Sequence, residues 1–225
     1  MVVKNKNEYG VKKTLRRLPA FGIVLFLCGC AATELEERCF PIVSLVGYED
    51  KKVIYALGFP DEAVSEEGET PSSEIQVPPV KKKGFKESKA EYESHLNKLV
   101  DYNHLKVIVL EEDLMEQINA YDAMLDELAV TEGYPRNTYV CAVDDIEDLI
   151  EIESKLPQEL GTYLEEYLNN HDTEKGKLLT LGDLIDEKEN KKLVLYIPYL
   201  EVEDTYVQWG GYYAIGKGMP PVKFQ

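Results

Sequence analysis

Hydrophobic positions fall into two rhythms along this chain. Residues 41–48 (PIVSLVGY) and 53–59 (VIYALGF) are apolar runs rich in β-branched and aromatic side chains, separated by the polar stretch Glu49-Asp50-Lys51-Lys52. Two such runs around a short polar turn predict a β-hairpin. From Ser88 the period lengthens: Tyr92, Leu96, Leu99 and Val100 follow the i, i+4, i+7, i+8 spacing of one helix face. Residues 104–110 (HLKVIVL) are a continuous apolar run, read as a buried strand. Asp113, with Glu116 three residues on, marks a capping box for a helix that buries Leu114, Ile118, Tyr121, Leu125 and Leu128. Gly133-Tyr134-Pro135 ends it.

The alternation continues. Residues 138–143 (TYVCAV) predict a strand, and Asp144 a cap for a helix with Ile146, Leu149 and Ile150 inward, stopped by Pro157. Residues 158–170 predict a further helix with Leu160, Tyr163, Leu164, Tyr167 and Leu168 on its inner side. Thr180 and Asp183 cap a short one, TLGDLI. Residues 193–200 read as a strand that Pro198 assigns to an edge or a bulge. Residues 206–217 read as the last strand, with a bulge at Gly210-Gly211. Residues 60–87 keep neither rhythm. Prolines stand at 60, 72, 78 and 79, acids come first, and Lys81-Lys82-Lys83 follow. This predicts an exposed loop, a tolerated surface insertion or a regulatory segment. The order β-β-loop-α-β-α-β-α-α-α-β-β predicts an α/β (α+β) fold: a mixed sheet with antiparallel edges and helices packed on it.

The first 30 residues are of another kind. Lys12, Lys13, Arg16 and Arg17 precede an apolar run over residues 18–27, which closes on Leu27-Cys28-Gly29-Cys30. A basic region, a short apolar region and a small residue before the cut make a secretory signal. A spanning helix needs about 20 apolar residues, more than this run supplies. A short transmembrane anchor and a plain secretory signal cut elsewhere are the competing readings. Leu-x-Gly-Cys resembles a bacterial lipobox, which implies cleavage between Gly29 and Cys30 and a diacylglyceryl group on the Cys30 sulfur. Residues 1–29 are thus a lipoprotein signal peptide, and residues 30–225 the mature domain, held to a membrane on its extracytoplasmic side. Two acyl chains attach stably where one does not.

Charge narrows the partners. Lys and Arg number 25 and Asp and Glu 42. Removing the six cations and one anion of residues 1–29 leaves 19 against 41, a net −22. Phosphates would be repelled, which argues against nucleic acid. A hydrophobic share of 44% is ample for a core in one domain. Candidate chemistry is sparse. Cys39 and Cys141 remain in the mature chain; export permits a disulfide, but their sequence positions do not establish one. No Cys-x-x-Cys or His-x-x-x-His spacing points to a zinc site, no cofactor motif is present, and catalytic residues are assigned as none. His95, His104 and His171 are far apart in sequence, and Cys141 sits mid-strand, where a small core residue is the plainer role. The acid pairs Glu111-Glu112 and Asp144-Asp145 suit general acid–base work, and equally the helix N-termini beside them. Trp209, Tyr212 and Tyr213 read as a binding surface or as edge-strand packing.

In order and spacing, the lipobox, ELEER, SLVGYED, HLKVIVLEEDL, RNTYVCAV, TLGDLI and GGYYAIGK resemble the Ger(x)C family, the C subunits of spore germinant receptors. Val46-Gly47-Tyr48-Glu49 stands where the family has an Ile-Gly-Ile-Asp type sequence. His104 to Ile108 matches its His-Leu-Lys-Val-Ile segment, and Arg136, Asn137, Tyr139 and Val140 its Arg-Asn-x-Tyr-Val segment. Ala31-Ala32 replaces the usual Trp-Asp. The resemblance runs from about Cys30 to Lys217. Family members continue into a second large region, so this chain corresponds to the N-terminal domain, and residues 209–224 are expected to be exposed and somewhat apolar. The resemblance implies a non-enzymatic lipoprotein on the outer face of the spore inner membrane. Its partners there are two membrane-embedded subunits of A and B type, one of which recognises the nutrient. It supplies no ligand-binding residue beyond the lipid Cys30. A free-standing solute-binding lipoprotein is the alternative, and a lipid-anchored hydrolase using Cys141 a third reading. Changing Cys30 to Ala is expected to release the protein from membranes or leave it uncleaved, read by membrane fractionation and by its size on a gel.

Overall fold

The computed structural model describes residues 35–60, 77–171, 178–190, 194–216 and 219–224. The chain divides into two units, Met1–Glu37 and Arg38–Gln225. In the first, the described part is a single exposed 3-10 turn, Leu35–Glu37. Cys30 and Gly29 lie outside the described residues.

The second unit begins with a two-residue strand, β1 (Arg38–Cys39), and continues into β2 (Val43–Glu49) and β3 (Lys52–Gly58). β2 and β3 form the expected hairpin, in register from Val43↔Gly58 to Glu49↔Lys52. Asp50 and Lys51 take φ of 50° and 60° at its tip. Positive φ at both central residues is what a two-residue type I′ connection requires. β4 (Val80–Lys82) then adds to β3, and α1 (Phe85–Ser94) follows. The far end of the expected loop at 60–87 is therefore ordered structure. Val80 and Phe85 are buried, and two apolar anchors among lysines sufficed to dock it. Ser88 fixes the arrangement: its fully buried hydroxyl donates to Val53 O at 2.7 Å and accepts from Lys82 N–H at 3.0 Å.

The helix expected to run through Leu96, Leu99 and Val100 ends at Ser94. Leu99–Val100 is instead β5, paired in parallel with β1 through Arg38↔Leu99 and Cys39↔Val100. A partner about 60 residues away outweighed the local period. A 3-10 turn, Tyr102–His104, leads into β6 (Val107–Glu111), so the buried strand starts three residues later than its apolar run. α2 (Glu112–Glu116) and α3 (Ile118–Val130) are separated at Gln117, and the N-cap is Glu111 rather than Asp113. β7 (Tyr139–Val143) follows, then α4 (Ile146–Ile152). The cap of α4 is Asp145, one residue past the expected Asp144; its carboxylate accepts Glu147 N–H at 2.7 Å.

α5 (Leu160–His171) buries Leu160, Leu164 and Leu168. α6 (Leu181–Asn190) carries the anticipated reciprocal cap: Thr180 N–H and Oγ1 donate to Asp183 Oδ2 at 3.0 and 2.6 Å, and Asp183 N–H donates back to Thr180 Oγ1 at 3.3 Å. β8 (Leu195–Val202), β9 (Val207–Gly216) and β10 (Met219–Phe224) complete the described chain.

Together these strands form an eight-stranded sheet in the order β10-β9-β8-β7-β6-β2-β3-β4, with β1 and β5 apart. β2, β6, β7 and β8 run parallel in the middle; both flanks are antiparallel. The α+β class holds. Every residue of β6 is buried, so both of its faces are covered, as expected of a central parallel strand. Pro198 lies in an interior strand. It is accommodated there because β7 and β8 share one paired position, Ala142↔Tyr199, and because the register shifts at the neighbouring step, Tyr199/Leu200. Gly210 is the unpaired residue of that bulge, where any Cβ would meet the Tyr199 ring. β9 is not the last strand: β10 flanks it, its strand signal masked by Pro220 and Pro221. Of the surface expected to be apolar and exposed, Val222 and Phe224 are exposed, whereas Tyr212 and Tyr213 are buried.

A tyrosine layer ties α1 to the sheet. Tyr55 packs edge-on against Phe85 and Tyr92, and its hydroxyl meets those of Tyr102 at 3.1 Å and Tyr134 at 3.3 Å. Tyr102 donates to Glu93 at 2.6 Å, and Tyr92 to Leu57 O at 3.0 Å. Burial raises the phenol pKa of Tyr55 and Tyr102 and pushes that of Tyr92 up to about 12, so all remain neutral donors. No helix among the described residues is long and apolar enough to cross a membrane. Replacing Ser88 by Ala is expected to cost about 1–3 kcal/mol, because Lys82 N–H is left without its acceptor. In urea the midpoint should fall with the slope unchanged.

Candidate functional site

The parallel strands β2, β6, β7 and β8 end together, and each ends in acid: Glu49, Glu111-Glu112, Asp144-Asp145, Glu201 and Glu203. Crevices at the carboxyl ends of parallel strands are the usual ligand position in open sheets. Here a depression of about 260 Å³ is walled by Asp144, Asp145, Asp148, Glu201 and Glu203, together with Tyr199 and Lys223.

Asp144 organises its polar groups. The Tyr199 hydroxyl donates to Oδ2 at 2.5 Å and Lys223 Nζ to Oδ1 at 3.1 Å. Burial opposes the charge on Asp144, and these two donors outweigh it, so its carboxyl is held below the usual range. Lys223 also lies 3.6 Å from the centre of the Tyr199 ring, a cation–π contact. Asp148 goes the other way: burial and then the charges of Asp145, Glu151 and Asp144 raise its pKa. The crevice therefore holds one ammonium and presents surplus negative charge to anything that enters.

Glu111 sits behind it, buried. Its Oε2 accepts Tyr48 N–H at 2.6 Å and its Oε1 accepts Ile146 N–H at 3.3 Å, linking β2, β6 and the start of α4. Burial pushes its pKa up to about 7 against the pull of the two N–H donors. Gly47 makes room: a Cβ there would stand 2.6 Å from Glu111 Oε2 and 2.9 Å from Ile146 Cδ1. The two acid pairs thus have divided roles. Glu111 binds strand and helix N–H groups behind the crevice, Asp145 both caps α4 and lines the crevice, and Asp144 holds the crevice's polar contacts.

The other candidates do not converge. Cys141 is fully buried on β7, and burial pushes its thiol up to about 12, so no thiolate is available for attack. Cys141 is a free thiol, so no disulfide joins it to Cys39. His104 is exposed with its ring 4.8 Å from Phe40, and the ring of His171 stacks on Tyr167 at 4.0 Å. His95 is exposed just past α1. The aromatic trio is split between the two faces of the sheet: Trp209 meets Tyr212 at 5.0 Å, whereas Tyr213 meets Tyr199 at 5.3 Å. Among the described residues no group of three or more His, Cys, Asp or Glu side chains is placed to hold a metal ion. The pairing of Lys223 with Asp144 had no signal in the sequence, since it joins residues 79 apart across strand ends.

A family model described as "Spore germination protein N-terminal domain" matches residues 31–202. The chain belongs to this family, the Ger(x)C family. The match includes Asp144, Tyr199 and Glu201 and stops before Lys223. Among solved structures, "Crystal Structure of the GerBC protein" is 14% identical with a TM-score of 0.36, covering 81% of this chain and 51% of that one. The chain thus spans about half the length of that protein. No curated protein matches.

Glu111 supplies a pH test for this Ger(x)C domain. Burial pushes its folded pKa up to about 7, above the ordinary glutamate value of 4.5. The folded state therefore binds the extra proton between these values, and stability contributed by Glu111 is full below about 4.5 and lost as pH rises to about 7. Discounted for solvent screening, the loss is on the order of 1–2 kcal/mol. In Glu111→Gln the fall over that window should vanish, measured as the difference in urea midpoint from the parent protein between pH 4.5 and 7.5.

Proposed function

We propose that this chain acts as the lipid-anchored, extracytoplasmic C-type subunit of a spore germinant receptor, beside two membrane-embedded subunits of A and B type. The carrying observation is the family match, which begins at Ala31, the residue after Cys30 in Leu27-Cys28-Gly29-Cys30. An anchor on Cys30 places the folded domain at the spore inner membrane, on its outer face. Its role there is interaction rather than catalysis. The buried Cys141 thiol and the separated histidines support that reading, and so does an acidic crevice whose strongest contacts are made internally, between Asp144, Tyr199 and Lys223. Partner proteins with cationic segments are the chemistry such a surface accepts.

Solute capture by a free-standing lipoprotein has less support. Small-molecule sites are mostly apolar and run from roughly 300 Å³ upward, whereas the crevice is smaller and walled by carboxylates. The experiment is co-purification from spore membranes in a strain that makes both membrane subunits. The tagged chain is expected to bring them down. Their absence from the eluate would sink the proposal, and ligand-dependent thermal stabilisation by a small solute would favour the other reading.

A further inference from the structure

The compact unit begins at Arg38, eight peptide steps from Cys30. Those steps reach at most about 29 Å when fully extended. A domain of the size of Arg38–Gln225 has a radius of roughly 21 Å, so its far pole is about 65 Å away over the surface. A bilayer tethered through Cys30 can therefore meet the end of the domain around Arg38, and the opposite pole is beyond its reach.

That end is where the parallel strands begin, since Arg38 and Cys39 precede the first residue of β2, Val43. The two ends carry different surface groups. Glu112, Asp113, Asp144, Asp145, Glu201 and Glu203 all stand where the strands finish, and an anionic lipid surface would repel them. At the starting end, Arg38 pairs with Asp101 at 2.7 Å and Lys106 with Glu165 at 3.1 Å, while Glu36 and Glu37 stand exposed just before Arg38. Leu99, directly paired with Arg38 in the β1–β5 ladder, is 61% exposed. Beside it, Cys39, Phe40, Phe59, Pro60 and Leu96 form the apolar wall of a groove of about 200 Å³, with Lys98 on its rim. An exposed leucine and a groove that is apolar on one wall and carries Asn97 and Lys98 on the other fit the headgroup–acyl boundary. Apolar side chains enter that boundary, and a lysine stem lies along it with its ammonium toward phosphate.

We infer that the β1–β5 corner, with Leu99 at its tip, seats on the lipid surface to which the chain is tethered, turning the acidic crevice away from the membrane. This orientation rests on the anchor proposed for Cys30. The test uses the full lipidated chain in phosphatidylethanolamine–phosphatidylglycerol vesicles, with a fraction of the lipid carrying a nitroxide near the headgroup. Trp209→Phe removes the native indole. Leu99→Trp then places a reporter at the corner, and Tyr206→Trp places one beyond the end of β8. The Leu99→Trp protein should lose at least half of its fluorescence to the nitroxide lipid while the Tyr206→Trp protein keeps nearly all of its own. Equal quenching of the two, or none, in protein that floats with the vesicles overturns the docking and leaves the anchor intact. Protein that does not float with the vesicles overturns the anchor reading and the docking with it. Hydrogen exchange of the unsubstituted chain gives an independent reading without mutation. Amides of residues 96–100 should slow on vesicles and those of 203–206 should not; the same change at both ends counts against the docking.

Discussion

The carboxylate of Glu111 is the constraint on which the centre of this fold depends. It is buried where β2, β6 and the start of α4 converge, and it accepts one N–H from each of its two neighbours, Tyr48 and Ile146. A buried carboxyl costs free energy unless its oxygens are occupied, and an N–H without an acceptor at a strand end or a first helical turn costs free energy in its turn. Glu111 settles both debts at one point. The geometry leaves no space for a side chain on β2, so Gly47 follows from it. The orientation of α4 follows as well, and with it the place of Asp144 and Asp145 at the crevice.

The antiparallel flank formed by β3 and β4 is secured differently. There the fixing groups are hydroxyls: Ser88 between β3 and β4, Tyr92 on Leu57, and the Tyr55–Tyr102–Tyr134 set. Neutral hydroxyls can both donate and accept, so a dense layer of them is satisfied without burying charge. The same layer connects α1 to the 3-10 turn at Tyr102, which stands next to the β1–β5 corner. The segment nearest the proposed tether is thus held by a hydroxyl network rather than by a loose strand end.

The two ends of the parallel strands are consequently unlike. Where the strands finish, acids that cap helices and acids that line the crevice accumulate, and Lys223 from β10 offsets part of their charge. Where they start, the Arg38–Asp101 and Lys106–Glu165 pairs stand near the exposed Leu99. Under the proposed anchoring, this difference would keep a side for lipid apart from a side for partner proteins.

Sequence alone determined the features that rest on neighbouring residues. The 49–52 turn, the reciprocal Thr180–Asp183 cap, the bulge at Gly210 and the apolar run that became β6 were all legible, because propensity, capping and periodicity act within a few residues. The mixed sheet with antiparallel edges followed from their order. The lipobox-like Leu27 to Cys30, which lies outside the described residues, contributed with the ordered motifs to the family resemblance. Tertiary structure alone decided what depends on distant partners. Leu99–Val100 left its helical period to pair with Arg38–Cys39, Val80–Lys82 left the loop to pair with β3, and Pro198 took an interior strand because a bulge beside it relaxed the ladder. Asp144, Tyr199 and Lys223 met through strand ends far apart in the chain. The burial of Glu111, which shifts its titration toward neutral pH, likewise arises only when β2 and α4 close over it. A local pattern records which conformation a segment prefers by itself; which of those preferences survive is set by the free energy of packing against segments the pattern cannot see.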